Sequence, residues 1–161
     1  MKKLVKLAAL LLTAALTLTL LAGCGAGGTG SAFNTKEEVL NYICGYYYTY
    51  TIEKTANRDT KLDTLAADLI TAANQAEGEE VEEKLWRAAQ DEKFDDYVYC
   101  YDICTDLTTS VMKEQYLNNL CWNIISGTNY ADEINIGAAT GKIGDKTYIV
   151  VMAKVVKLSS H

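Results

Sequence analysis

The residues of this chain that could bind or react are five cysteines, eleven tyrosines, a run of carboxylates and a single histidine. Cys24 directly follows the leader described below, which leaves Cys44, Cys100, Cys104 and Cys121 in the body of the protein. An even number of cysteines in an exported domain suggests disulfides, and four thiols allow three connectivities. Four residues of extended chain would hold Cys100 and Cys104 roughly 13 Å apart, beyond disulfide reach, so any bridge would run to Cys44 or Cys121. Buried reduced thiols are the alternative. A zinc site on Cys100 and Cys104 would need a turn between its ligands, whereas Tyr101-Asp102-Ile103 favours a strand. Nucleophilic cysteine chemistry lacks a base, because the only histidine is His161 and no lysine adjoins Cys100.

The tyrosines form two sets: Tyr46, Tyr47, Tyr48 and Tyr50 early, and Tyr97, Tyr99 and Tyr101 later. Tyrosine packs a large apolar ring while keeping its hydroxyl near water. Tyr46, Tyr47, Tyr50, Tyr97, Tyr99 and Tyr101 are therefore a candidate surface for a glycan or peptide, against the plainer reading of a rim between helix and sheet. Glu77, Glu79, Glu80, Glu82 and Glu83, continued by Asp91, Glu92, Asp95 and Asp96, lack the spaced loop that fixes calcium and read as a solvated face. Paired carboxylates could also hydrolyse a glycoside, but any acidic chain offers such pairs. Walker loops, dinucleotide fingerprints and nucleophile elbows are absent, so no catalytic residue, metal ligand or cofactor is assigned.

The leader is the most specific signal. Met1-Lys2-Lys3 and Lys6 give a positive start, Leu7 to Leu21 an apolar run, and Leu21-Ala22-Gly23-Cys24 the close. That close resembles the lipobox of bacterial lipoproteins, which implies cleavage after residue 23 and a lipid, palmitate among its chains, on Cys24. The run is shorter than the ~20 residues of a membrane span, while two or three acyl chains anchor durably. Residues 24–32 then read as a lipid-anchored flexible linker, without a bulky side chain to pack, and 33–158 as one globular domain. The net charge of −6 loses Lys2, Lys3 and Lys6 with the leader and becomes −9. Such a surface repels phosphate backbones and anionic head groups, which argues against nucleic acid and leaves the lipid as the contact with the membrane.

Elements must position these residues. Thr35 and Glu38 have the spacing of a capping box, and Val39, Ile43, Tyr46 or Tyr47, and Tyr50 recur at helical intervals, which predicts a helix from about Lys36 to Lys54. Asn57 to Thr60 reads as a turn. Leu62, Leu65, Ala66, Leu69 and Ala73 predict a second helix ended by Gly78, and Val81, Leu85 and Ala88 a third within Glu79 to Gln90. Tyr97 to Cys104 alternates as a strand, with Tyr97, Tyr99, Tyr101 and Ile103 on one face and Val98, Cys100, Asp102 and Cys104 on the other. Ser110 to Ile125 follows as a helix stopped by Gly127. Glu133 to Ala139 and Thr147 to Val156 form an antiparallel hairpin around a glycine-containing turn. The order favours α+β layers over an alternating parallel sheet.

That order and four short segments resemble the CAP superfamily, the cysteine-rich secretory, antigen five and pathogenesis-related proteins, also called SCP-like. Asn123-Ile124-Ile125-Ser126 is similar to the family's Asn-Ile-Leu-Asn helix end. Glu133 to Ala139 is similar to its Ile-Gly-Ile-Gly-Val-Ala strand, and Tyr148 to Val151 to its closing Tyr-Trp-Val-Gln strand. Leu62 to Ala76 looks like its second helix. The resemblance implies an α+β fold, a three-layer α-β-α sandwich with an antiparallel sheet and a C-terminal hairpin. It also implies that the family's metal cleft is lost, because one of its two histidines falls near Leu120 and His161 is the only histidine in the chain. The expectation is a surface-tethered, non-catalytic binding or scaffold domain on the extracytoplasmic face of the bacterial cell envelope. Its partner would be an envelope protein, peptide or glycan. The alternative is a carboxylate-dependent hydrolase or ligand-binding domain in an α+β fold of the nuclear-transport-factor type.

Overall fold

The computed structural model describes residues 36–51, 54–104 and 110–156, so the leader, Cys24, the linker and His161 lie outside the described residues. In chain order the elements are α1 (Lys36–Tyr50), β1 (Thr55–Arg58), α2 (Thr60–Gln75), α3 (Val81–Ala88), a 3-10 turn (Glu92–Phe94), β2 (Val98–Ile103), α4 (Ser110–Gly127), β3 (Glu133–Ile143) and β4 (Lys146–Val155). The fold is α+β: among the described residues, four helices pack on one four-stranded sheet ordered β1-β3-β4-β2.

The centre of the sheet is β4, where Tyr148 to Ala153 are all buried. An unbroken apolar run belongs in a strand covered on both faces. Ile149, Val151 and Ala153 point into a core closed by α1 and α4, with Leu40, Ile43, Tyr47, Leu120 and Ile124. Tyr148, Val150 and Met152 point into a second core closed by α2 and α3, with Leu62, Leu69, Ile70 and Leu85. Each of these large apolar side chains contributes about 1.5–3 kcal/mol on burial. The hairpin register pairs Ile134 with Val155 through to Ile143 with Lys146, and Gly144 supplies the left-handed residue (φ 65°) of its two-residue turn.

Three expectations need correction. The sheet is mixed, because β1 lies parallel to β3, with Thr55 opposite Glu133 and Arg58 opposite Ile136. Residues 57 and 58, read as part of a turn, are strand. Thr-Ala-Asn-Arg has no alternation to announce itself; its order comes from bonds to a distant strand, including Thr55 N–H to Asp132 O at 2.9 Å. The first helix also ends at Tyr50 rather than Lys54, and the Thr51 hydroxyl caps it by bonding Tyr47 O. The other predicted elements stand within a few residues of their expected ends, and Asp59 caps α2 through Lys61 N–H at 2.9 Å.

β1 stops level with Ile136, and a side chain takes over its work. Asp63, in the first turn of α2, accepts from Ala138 N–H at 2.8 Å and pairs with Lys36 Nζ at 2.7 Å. One carboxylate thus caps the free edge of β3 and ties α1 to α2. Gly137 beside it lets α2 approach, since a Cβ there would stand 2.5 Å from Asp63 N and 2.6 Å from Leu62.

Candidate functional site

The two margins of the sheet differ. β1 is four residues long and flanked by α1, whose Glu37 holds Arg58 at 2.9 Å. β2 is six residues long, pairs with β4 on one side, and has no strand on the other among the described residues. Its register runs from Val98 opposite Ala153 to Ile103 opposite Tyr148. Cys104 N–H bonds Thr147 O at 2.8 Å, which sets the phase of the ladder. Residues 98, 100, 102 and 104 turn their backbone groups to β4, and Tyr99, Tyr101 and Ile103 turn theirs outward. The outward Ile103 N–H is taken by Asp102 Oδ1 at 2.7 Å. The N–H groups of Tyr99 and Tyr101 have no partner among the described residues.

A groove of about 850 Å³ follows this open margin. Its floor is Tyr99, Cys100, Tyr101 and Asp102. One bank is α3 and the residue before it, which supply Glu80, Glu82, Glu83 and Trp86; the other is α4, which supplies Asn123. Helical spacing explains the first bank. Leu85 and Ala88 face the core, so Glu82, Glu83 and Trp86 fall on the outer side, and Trp86 is 59% exposed. Glu83 is partly neutralised by Arg87 at 2.8 Å. Glu80, Glu82 and Asp102 have no ion-pair partner among the described residues, and no lysine or arginine lines the groove.

Burial raises the Asp102 carboxyl above its ordinary value, the bond from Ile103 N–H opposing this. Burial, and next the charge of Glu82, push the Tyr99 and Tyr101 hydroxyls up. No family model matches the chain, and no curated protein matches its sequence.

The structure divides the candidate tyrosines between the two faces of the sheet. Tyr46 and Tyr47 belong to the α1–α4 core, with Tyr47 fully buried and its hydroxyl donating to Ala131 O at 2.5 Å. Tyr97, Tyr99 and Tyr101 are half-buried on the α2–α3 face, and only Tyr99 and Tyr101 reach the groove. The Tyr50 side chain lies outside the described residues. The four cysteines are thiols: Cys100 and Cys121 are buried, Cys44 and Cys104 half-buried. Burial pushes the Cys121 thiol up to about 12 and that of Cys100 higher still, which makes both poor nucleophiles. No cluster of three metal-ligating side chains occurs among the described residues, and Leu120 is buried in the α1–α4 core. Among the described residues no helix is long and apolar enough to cross a membrane.

Sequence reasoning had Tyr99 and Tyr101 but not Trp86, Asn123 or the role of the Glu80–Glu83 run. The signal for Trp86 was present, since a tryptophan three residues from Glu83 and one from the buried Leu85 must lie on the polar side of a helix. What period and spacing could not supply is that this helix flanks a sheet margin.

Proposed function

We propose that this chain is a surface-tethered, non-catalytic binding domain of the bacterial envelope, lipidated on Cys24 and held on the extracytoplasmic face. The groove along β2 is its binding surface. The observation that carries the reading is the groove itself: an open backbone margin, an exposed tryptophan and two half-buried tyrosines under a bank of carboxylates. Aromatic rings with polar edges and unpaired backbone groups suit recognition.

The CAP-like reading draws support from where its segments fall. Leu62 to Ala76 covers most of α2, Asn123 to Ser126 closes α4, Glu133 to Ala139 lies in β3 and Tyr148 to Val151 in β4, with helices on both faces of the sheet. At the position of the family's histidine, Leu120 presents hydrocarbon to the core.

The second reading is a carboxylate-dependent envelope hydrolase, for which the raised Asp102 carboxyl is the argument. Asp102 leaves β2 on the α4 side, however, while Glu82 stands on the α3 side, so the strand lies between the two groups. The deciding experiment uses the full-length chain in mild detergent to retain components of solubilised envelopes. Retention that is lost in a Trp86→Ala, Glu82→Gln variant is expected. Empty eluates, or retention unchanged in the variant, would overturn the binding role. Turnover abolished by Asp102→Asn would establish the enzyme instead.

A further inference from the structure

We propose that the occupant of the groove is an extended peptide bearing lysine or arginine at alternate positions, which pairs with β2 as a fifth strand. The inference rests on the binding role proposed above and names its ligand. Backbone chemistry gives the first half of the case. Tyr99 and Tyr101 each direct one N–H and one C=O away from β4, four groups in the pattern that an added strand satisfies. Asp102 occupies the next outward N–H, at Ile103, and so marks the end of the usable margin. Proteins blunt open margins by shortening or covering them. β1 is short, while β2 keeps two residues without a backbone partner among the described residues.

Charge gives the second half. An added strand sends alternate side chains to the two banks. On the α3 side they meet Glu80, Glu82 and the Trp86 ring, which favour a cation whose aliphatic stem lies along the indole. On the α4 side they meet Asp102 and Asn123. Among the described residues no cation lines the groove to repay an acidic ligand. A second copy of this chain is disfavoured for the same reason, because pairing β2 with β2 would bring two acidic banks together. An acidic molecule also steers a cationic peptide from a distance, with an association rate that falls as salt rises.

The test uses the full-length chain in detergent and four probes: a Lys-Val repeat hexapeptide, its Glu-Val counterpart, the Lys-Val peptide N-methylated at alternate residues, and spermine. The Lys-Val peptide is expected to bind and to slow hydrogen exchange of the Tyr99 and Tyr101 amides by about tenfold or more, a protection worth about 1.4 kcal/mol. Glu80→Gln with Glu82→Gln, both exposed and without an ion-pair partner among the described residues, should weaken it several-fold while leaving the urea midpoint close to that of the parent. N-methylation should abolish binding. The proposal fails if the Glu-Val peptide binds equally, if the N-methylated peptide still binds, or if spermine displaces the peptide while the two amides remain unprotected. An envelope component retained through Trp86 by a chain that ignores the Lys-Val peptide would overturn this inference alone. Protection by the peptide with no envelope component retained would keep the groove as a peptide site and overturn the envelope partner alone.

Discussion

Single side chains decide what this molecule can do chemically. Burial takes the Cys100 and Cys121 thiols out of reach of base, whereas Cys44 and Cys104 are half-exposed. Iodoacetamide at pH 8 should therefore label Cys44 and Cys104 well before Cys100 and Cys121, and mass spectrometry after timed quenching reads the order; early labelling of Cys121 would contradict the packing. Asp102 gives a second expectation. Its folded-state pKa lies above the ordinary value of 3.8, so the native state holds this proton more tightly than the unfolded chain does. The resulting stabilisation is full below the unfolded value and is lost as pH rises through the folded one. Relative to Asp102→Asn, the wild-type chain should gain stability on acidification from neutrality past 3.8, seen as a rising difference in urea midpoints. A flat difference would place the carboxyl in water. The thiols and tyrosines were legible as residue types, but whether Tyr47 is core and Tyr99 is groove depends on which side of a sheet each helix covers, which residue spacing does not contain.

At the scale of elements, the approach of α2 to β3 is set by Gly137. A methyl there would overlap Asp63 N and Leu62, and because both atoms belong to the first turn of the helix the whole element must back away. Gly137→Ala should cost about 1–3 kcal/mol in urea unfolding. Gly45→Ala is the control: nothing stands within 4 Å of its added methyl in the interior of α1, so it should gain about 0.5–1 kcal/mol. Equal effects at the two sites would remove the steric account. Elements with strong periodicity were legible: Leu62, Ala66, Leu69 and Ala73 mark the buried stripe of α2, and the alternation from Tyr97 to Cys104 assigns both faces of β2 correctly. β1 was not. Its four residues carry no pattern of their own, and the parallel pairing with β3 is made some eighty residues away in the chain.

For the whole molecule, the proposed anchor and the net charge bear on each other. The body of the chain is strongly acidic, so attachment to an anionic bilayer would need the proposed lipid. Cys24→Ser should abolish incorporation of labelled palmitate and move the protein from the membrane fraction to the supernatant; unchanged partitioning would remove the tether and the envelope location with it. The helix–sheet–helix layering was legible from element order, since three helices, a strand, a helix and a hairpin leave both sheet faces to be covered. The open margin was not, because a margin is defined by which strand has no neighbour. The position of β4 bears on when this protein can fold. The strand at the middle of the sheet is the last of the four to be synthesised, and both β3 and β2 find their antiparallel partner only in it. Until residues 146–155 have left the ribosome, neither core has its central wall. For a chain exported as proposed above, that delay would keep it loose enough to thread a translocation channel, with compaction deferred to the far side.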